Sequence, residues 1–139
     1  VPSDVKGNCF DGVFMEFSRN APDDFYKKYI TQINCSPKTE NSGMPKNLRF
    51  NPTAIRQINN QENSWFKFVV STEQDVIDAN ETYVKYFGIK KKKVILMPGL
   101  DRQEDYFERT KFVYEMGKKY GFRAVSRGHI AAWNRTTGV

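Results

Sequence analysis

The chain has 139 residues, and its 22 Lys and Arg against 16 Asp and Glu give a net charge of +6. That length suits one domain, residues 1–139, with a modest core. Eleven Phe, 7 Tyr and 2 Trp supply core material, and no apolar run approaches the roughly 20 residues of a membrane-spanning helix. No membrane partner is expected.

No stretch near the start has the charged-then-apolar pattern of a secretory signal, so a cytoplasmic setting is expected. The two cysteines, Cys9 and Cys35, form no disulfide framework and no C-x-x-C pair, which suits a reducing compartment. The positive charge fits an anionic partner or a surface that only keeps the protein soluble. Residues 90–93 are all Lys. Placed just before an apolar strand, they read as a solvated loop end, and nucleic acid is not expected there.

In chain order, residues 12–17 read as a strand and residues 22–29 as a short helix with Pro in its first turn. Residues 30–35 form a second strand, closed by Ser36, Pro37 and Lys38. Residues 39–49, rich in Asn, Ser, Gly, Pro and Lys, read as a loop. Asn51 and Pro52 open a short helix to about Asn59. Residues 65–70 (Trp-Phe-Lys-Phe-Val-Val) make a third strand. Thr72 and Asp75 have capping-box spacing, and Val76, Ala79, Tyr83 and Phe87 share one helix face that Gly88 ends.

Residues 94–97 are continuously apolar, the pattern of a strand buried on both faces. Asp101 and Glu104 start a long helix with an inner stripe of Tyr106, Phe107, Val113, Met116 and Tyr120, ended by Gly121. Residues 123–130 read as the last strand. Strands alternating with helices argue an α/β fold of parallel strands with crossover helices, either an open sheet or a partial (β/α) barrel.

Ligands of parallel α/β folds sit at the carboxyl ends of strands. That rim holds Glu16 to Arg19, Ser36 to Lys38, Ser71 and Thr72, Pro98 and Gly99, and Arg127 to His129. Each has a plain structural reading too. Glu16 in an apolar strand fits an ion pair or a substrate contact. Ser36-Pro37 fits a strand stop. Lys67, between Phe66 and Phe68, points to the rim or a polar interior, or snorkels outward. His129 fits a hydrogen-bonded structural histidine, and Trp133 a packing residue. No phosphate-cradling glycine pattern, zinc spacing or nucleophile elbow is present.

Three segments come in order with suitable spacing. They are Cys35-Ser36-Pro37-Lys38 with Asn41-Ser42-Gly43, then residues 66–70, then Leu96-Met97-Pro98 through Arg127, His129 and Trp133 to Gly138-Val139. Together they resemble the C-terminal half of the 7-carboxy-7-deazaguanine synthase family of radical S-adenosylmethionine enzymes, a lyase family of queuosine-type biosynthesis. The resemblance implies a partial TIM-type barrel that contracts the ring of a carboxytetrahydropterin. It places Ser36, Pro37 and Lys38 near S-adenosylmethionine. It places Glu16, Lys67, Arg127, His129 and the Val139 carboxylate near a pterin-like small molecule.

The family's cofactors are S-adenosylmethionine, a [4Fe–4S] cluster and magnesium. The cluster needs three clustered cysteines, and the family also has a Gly-Gly-Glu-Pro strand end; neither pattern is among these 139 residues. Phe17-Ser18-Arg19-Asn20 stands where the family has Thr-Asn-Gly. No catalytic residue or metal ligand is therefore assigned within the chain, which alone is not expected to be active. It reads as a fragment, as one half of a split enzyme completed by a separate N-terminal chain, or as a remnant that only binds. A homodimer would also cover the edges of such a half barrel.

Overall fold

A computed structural model of the chain describes residues 32–136. Strands β1 (Ile33–Cys35), β2 (Ser64–Val70), β3 (Val94–Pro98) and β4 (Arg123–Ala124) form a sheet in the order β1-β2-β3-β4, with every neighbouring pair parallel. Parallel pairing requires crossovers, and helices supply them. They are α1 (Lys46–Arg49), α2 (Pro52–Asn59), α3 (Glu73–Ala79) and α4 (Tyr106–Tyr120), and α5 (Gly128–Trp133) follows the last strand. The fold is α/β. Its strand order follows chain order, as in a barrel wall; a doubly wound sheet reverses direction at a switch point. The arrangement is consistent with a partial barrel.

Local chemistry sets these boundaries. The Asn51 side chain accepts from Ala54 N at 3.0 Å and starts α2, with Pro52 in the first turn. Thr72 and Asp75 form the expected capping box at the start of α3. That helix continues as a π-helical segment, Asn80–Lys85. Gly88, at φ 65°, and Gly121, at φ 74°, end the α3 and α4 runs in the left-handed region.

The helices cover one face of the sheet. Ser64, Phe66, Phe68 and Val70 of β2 and Val94, Leu96 and Pro98 of β3 are fully buried beneath them. Tyr83, Val76 and Val113 come down from the helices into the same core. Each fully buried large apolar side chain contributes about 1.5–3 kcal/mol, so this layer carries most of the fold's stability.

Several expectations change. Residues 94–97 are not buried on both faces: Ile95 and Met97 are only half-buried, because among the described residues no helix covers that side. The loop of residues 39–49 contains a 3-10 turn, Glu40–Ser42, and helix α1. The last long helix starts at Tyr106 after a 3-10 turn, Gln103–Asp105, with no side-chain cap. Phe107 is 83% exposed, since it lies about 100° around the helix from Tyr106; Gly117 and Phe112 complete the inner stripe.

Residues 123–130 are not one strand. The ladder stops after Val125 N donates to Leu96 O at 2.9 Å, and Gly128 opens α5, which buries Ile130. Trp133 is 51% exposed rather than packed. The lysine run is only partly solvated. Lys93 is buried and donates to Asn59 O, Gln61 O and Ser64 Oγ at 3.1, 2.6 and 3.0 Å. Lys91 Nζ donates to Tyr120 O, at the C-terminus of α4. The expected strand at 12–17 and helix at 22–29 lie outside the described residues.

Candidate functional site

The carboxyl ends of β1 and β2 frame a cavity of about 270 Å³, lined by Ser36, Pro37, Lys38, Thr39, Asn41, Ser42, Val69 and Ser71. The turn after β1 is built to hold that shape. Thr39 O accepts from Ser42 N at 3.1 Å and from Ser42 Oγ at 2.8 Å. Thr39 Oγ1 donates to Asn41 Oδ1 at 2.8 Å, and Asn41 Nδ2 donates to Val69 O at 3.1 Å. The turn is thereby stitched to β2, and Gly43 closes it at φ 70°.

Two anchors fix the turn from beneath. Tyr83 OH, fully buried on the π-helical segment, donates to Lys38 O at 2.7 Å. Burial pushes the Tyr83 phenol above its ordinary value, which outweighs the hydrogen bond and charge of Arg49. Asp75 Oδ2 accepts from Ser71 N at 2.7 Å and Thr72 N at 2.9 Å. Burial alone would raise the Asp75 carboxyl. These two backbone donors, with the Asn41 and Thr72 side chains, outweigh it and hold the group below the usual carboxylate range. Gly99 leaves room at the end of β3, since a Cβ there would stand 2.1 Å from Ser71 Oγ.

The second part of the site is the uncovered face of the sheet. Asn34, Trp65, Lys67, Val69, Ile95, Met97 and Arg123 occupy it, by strand alternation and by register. Lys67 pairs with Ile95 and Ile95 with Arg123, so one row crosses three strands. The Arg123 guanidinium lies over the Trp65 ring, 4.7 Å from its centroid. Lys67 thus lies half-buried on the face opposite the helix-covered core.

The residues singled out in sequence meet different fates. Ser36, Pro37 and Lys38 come together at the cavity with Asn41 and Ser42. Arg127 is half-buried, and its Nη1 donates to Leu100 O, tying the start of α5 to the β3–α4 connection. His129 is exposed on α5, off the sheet, with no hydrogen bond among the described residues. It is not a hydrogen-bonded structural histidine there. Glu16 and Val139 lie outside the described residues.

Sequence reasoning missed Thr39, Trp65 and Arg123. The alternation of β2 contained the signal for Trp65, since it shares a parity with Lys67. Arg123 needed the register of β4.

Among the described residues, no three His, Cys, Asp or Glu side chains converge as a metal site. Cys35 is 2% exposed and faces the helix-covered core; Cys9 lies outside the described residues. Two cysteines cannot hold a cluster that needs three thiolates, so the chain's own residues do not fit that group.

A comparison with curated proteins finds 34% identity over 103 residues to the 7-carboxy-7-deazaguanine synthase of Pyrobaculum aerophilum. The chain is a relative of this synthase. The match covers 74% of the chain and 43% of the relative, so the chain spans under half of that protein's length, matching its C-terminal part. No family model matches the chain, and no solved structure matches it. The ordered motif set is therefore joined by measured identity to the synthase. No helix among the described residues is long and apolar enough to cross a membrane.

Proposed function

We propose that this chain forms the C-terminal part of the barrel of a 7-carboxy-7-deazaguanine synthase-type radical S-adenosylmethionine enzyme. Identity to the synthase over 103 residues carries the reading. The position of Ser36, Pro37 and Lys38 around a polar cavity at a strand-end rim supports it. Their role is to bind S-adenosylmethionine. The cationic uncovered face, with Lys67 at its centre, takes a carboxytetrahydropterin. On this reading Arg127 and His129, which follow β4, contribute to the pterin contacts together with Glu16 and the Val139 carboxylate.

The cofactor supplies radical chemistry in such enzymes, and its cluster is held by thiolates that a separate N-terminal segment or chain would provide. The chain's own residues bind and orient. Lys67 and the rim donors neutralise the substrate carboxylate, and the sheet excludes water from one side of the ligand.

Co-expression with a polypeptide bearing three clustered cysteines tests this reading. The expected result is conversion of carboxytetrahydropterin to carboxydeazaguanine by the reconstituted pair and none by either part alone. Binding by the isolated chain is expected to be weak. No turnover in the pair, with tight calorimetric binding of a purine-like ligand by the isolated chain, would favour the alternative: a non-catalytic binding protein on a radical S-adenosylmethionine scaffold.

A further inference from the structure

We infer that Arg123, held on the face of Trp65, is a substrate-positioning residue that works with Lys67 to clamp the carboxylate of a ring-bearing ligand. The inference rests on the proposed pterin reading for the ligand's identity, and on geometry for the clamp itself.

Four observations converge. First, Ala124 packs with the helix-side core, and a Cβ on Gly117 would lie 3.3 Å from Ala124 Cβ. Its neighbour Arg123 must therefore project to the opposite, uncovered face. Second, Arg123 shares a register row with Ile95 and Lys67, with one strand between the two cations. Strand spacing puts their Cα atoms about 10 Å apart, a gap that their long side chains can close around a carboxylate. Third, the Arg123 guanidinium lies over the Trp65 ring and makes no ion pair among the described residues. Stacking on that ring fixes the guanidinium plane and leaves its edge N–H donors free for a bidentate anion contact. Fourth, no carboxylate among the described residues ion-pairs with Lys67 or Arg123, whereas Lys118 and Lys119 of α4 are paired with Glu115 and Glu73.

The chemistry of the row is cation, aliphatic floor, cation, with an indole beside it. Ile95 offers an apolar surface for a ring, and the flanking charges select a ring that carries a carboxylate. A neutral ring gains only the apolar contact. An anion without a ring gains only the charge.

The test uses the full 139-residue chain, labelled with ¹⁵N at the tryptophan indoles. Trp65 is assigned by loss of the Trp133 signal in Trp133→Phe. Titration with 6-carboxypterin up to millimolar concentration should shift the Trp65 indole resonance. Pterin lacking the carboxylate should bind about tenfold more weakly or worse. Arg123→Gln should weaken carboxypterin about tenfold and leave plain pterin unchanged. Arg123→Lys should recover only part of the loss, because an ammonium lacks the planar fork.

Equal carboxypterin binding by wild type and Arg123→Gln overturns the clamp and leaves the pterin reading standing. Failure of carboxypterin, with an Arg123-dependent shift on titration with quinoline-2-carboxylate, keeps the clamp and sinks the pterin reading. No shift with either carboxylate overturns the clamp outright. An unchanged melting temperature in Arg123→Gln confirms that each outcome reports binding and not folding.

Discussion

Trp65, Lys67 and Val69 alternate along β2 with Ser64, Phe66, Phe68 and Val70, yet only the second set is sealed from water. One face of the strand is a core, closed by α2, α3 and α4. The other keeps a cation between two apolar neighbours and leaves all three accessible or half-accessible. A single strand thus seals the core on one side and leaves a cation accessible on the other, divided by the two-residue period of the backbone. The difference predicts that neighbouring substitutions will fall into separate classes.

The largest effect tests the covered face. Phe68→Ala removes a fully buried ring that lies 5.5 Å from the Tyr83 ring, and should cost about 3–5 kcal/mol in urea unfolding. Lys67→Met, one position away, should change stability by under about 0.5 kcal/mol. If the two cost the same, the division between faces is wrong.

Gly117→Ala should follow. An added Cβ would meet Phe122 O at 2.9 Å, and a backbone carbonyl cannot swing aside. Overpacking at this approach of α4 to β4 should cost about 1–3 kcal/mol, read as a lower denaturation midpoint at constant m-value.

Asp75→Ala should cost about 1–2 kcal/mol, because it leaves the amides of Ser71 and Thr72 without their acceptor. Its pH dependence has a definite sign. The folded carboxyl titrates below the ordinary aspartate range, so its contribution is fully present above that range. That contribution fades as pH falls through the lower folded value, where protonation removes the acceptor charge. Wild type should therefore lose more stability than Asp75→Ala between pH 5 and 2, both measured by urea unfolding; parallel losses would contradict the depressed value. Tyr83 acts at the other end of the scale. Its raised phenol keeps its contribution below pH 10 and loses it as pH rises through the folded value.

How far the sequence foretold these features depends on whether a signal was local. The capping box at Thr72, the Asn51 cap, the stop at Gly88 and the alternation of β2 all lie within a few residues, and each was legible. The Ser36-Pro37-Lys38 rim was legible as a strand end. The turn that completes the cavity was not, because Asn41 draws its role from Val69 O, 28 positions away. Lys93 looked like one of four solvated lysines, and only the fold brings Asn59, Gln61 and Ser64 to its ammonium. The reading of 123–130 as one strand misled for a related reason. Ile130 is buried by a helix turn packing back on the fold, and an isolated apolar residue does not reveal which backbone period brought it inside.

The smallest expected effect concerns His129, which belongs to neither face of the sheet. It lies exposed in the first turn of α5, while Ile130 next to it is buried and Arg127 before it holds Leu100 O. Those neighbours carry the attachment of α5, so His129→Ala should change unfolding free energy by under about 0.5 kcal/mol. Arg127→Met should cost more, since Leu100 O then loses its donor. The pair of variants separates anchoring from recognition at this end of the rim. A stability loss above about 1 kcal/mol in His129→Ala would place the imidazole in the packing of α5. An unchanged midpoint, with reduced turnover in a reconstituted enzyme, would leave its conservation of fold to Arg127 and Ile130 and assign the imidazole to the ligand.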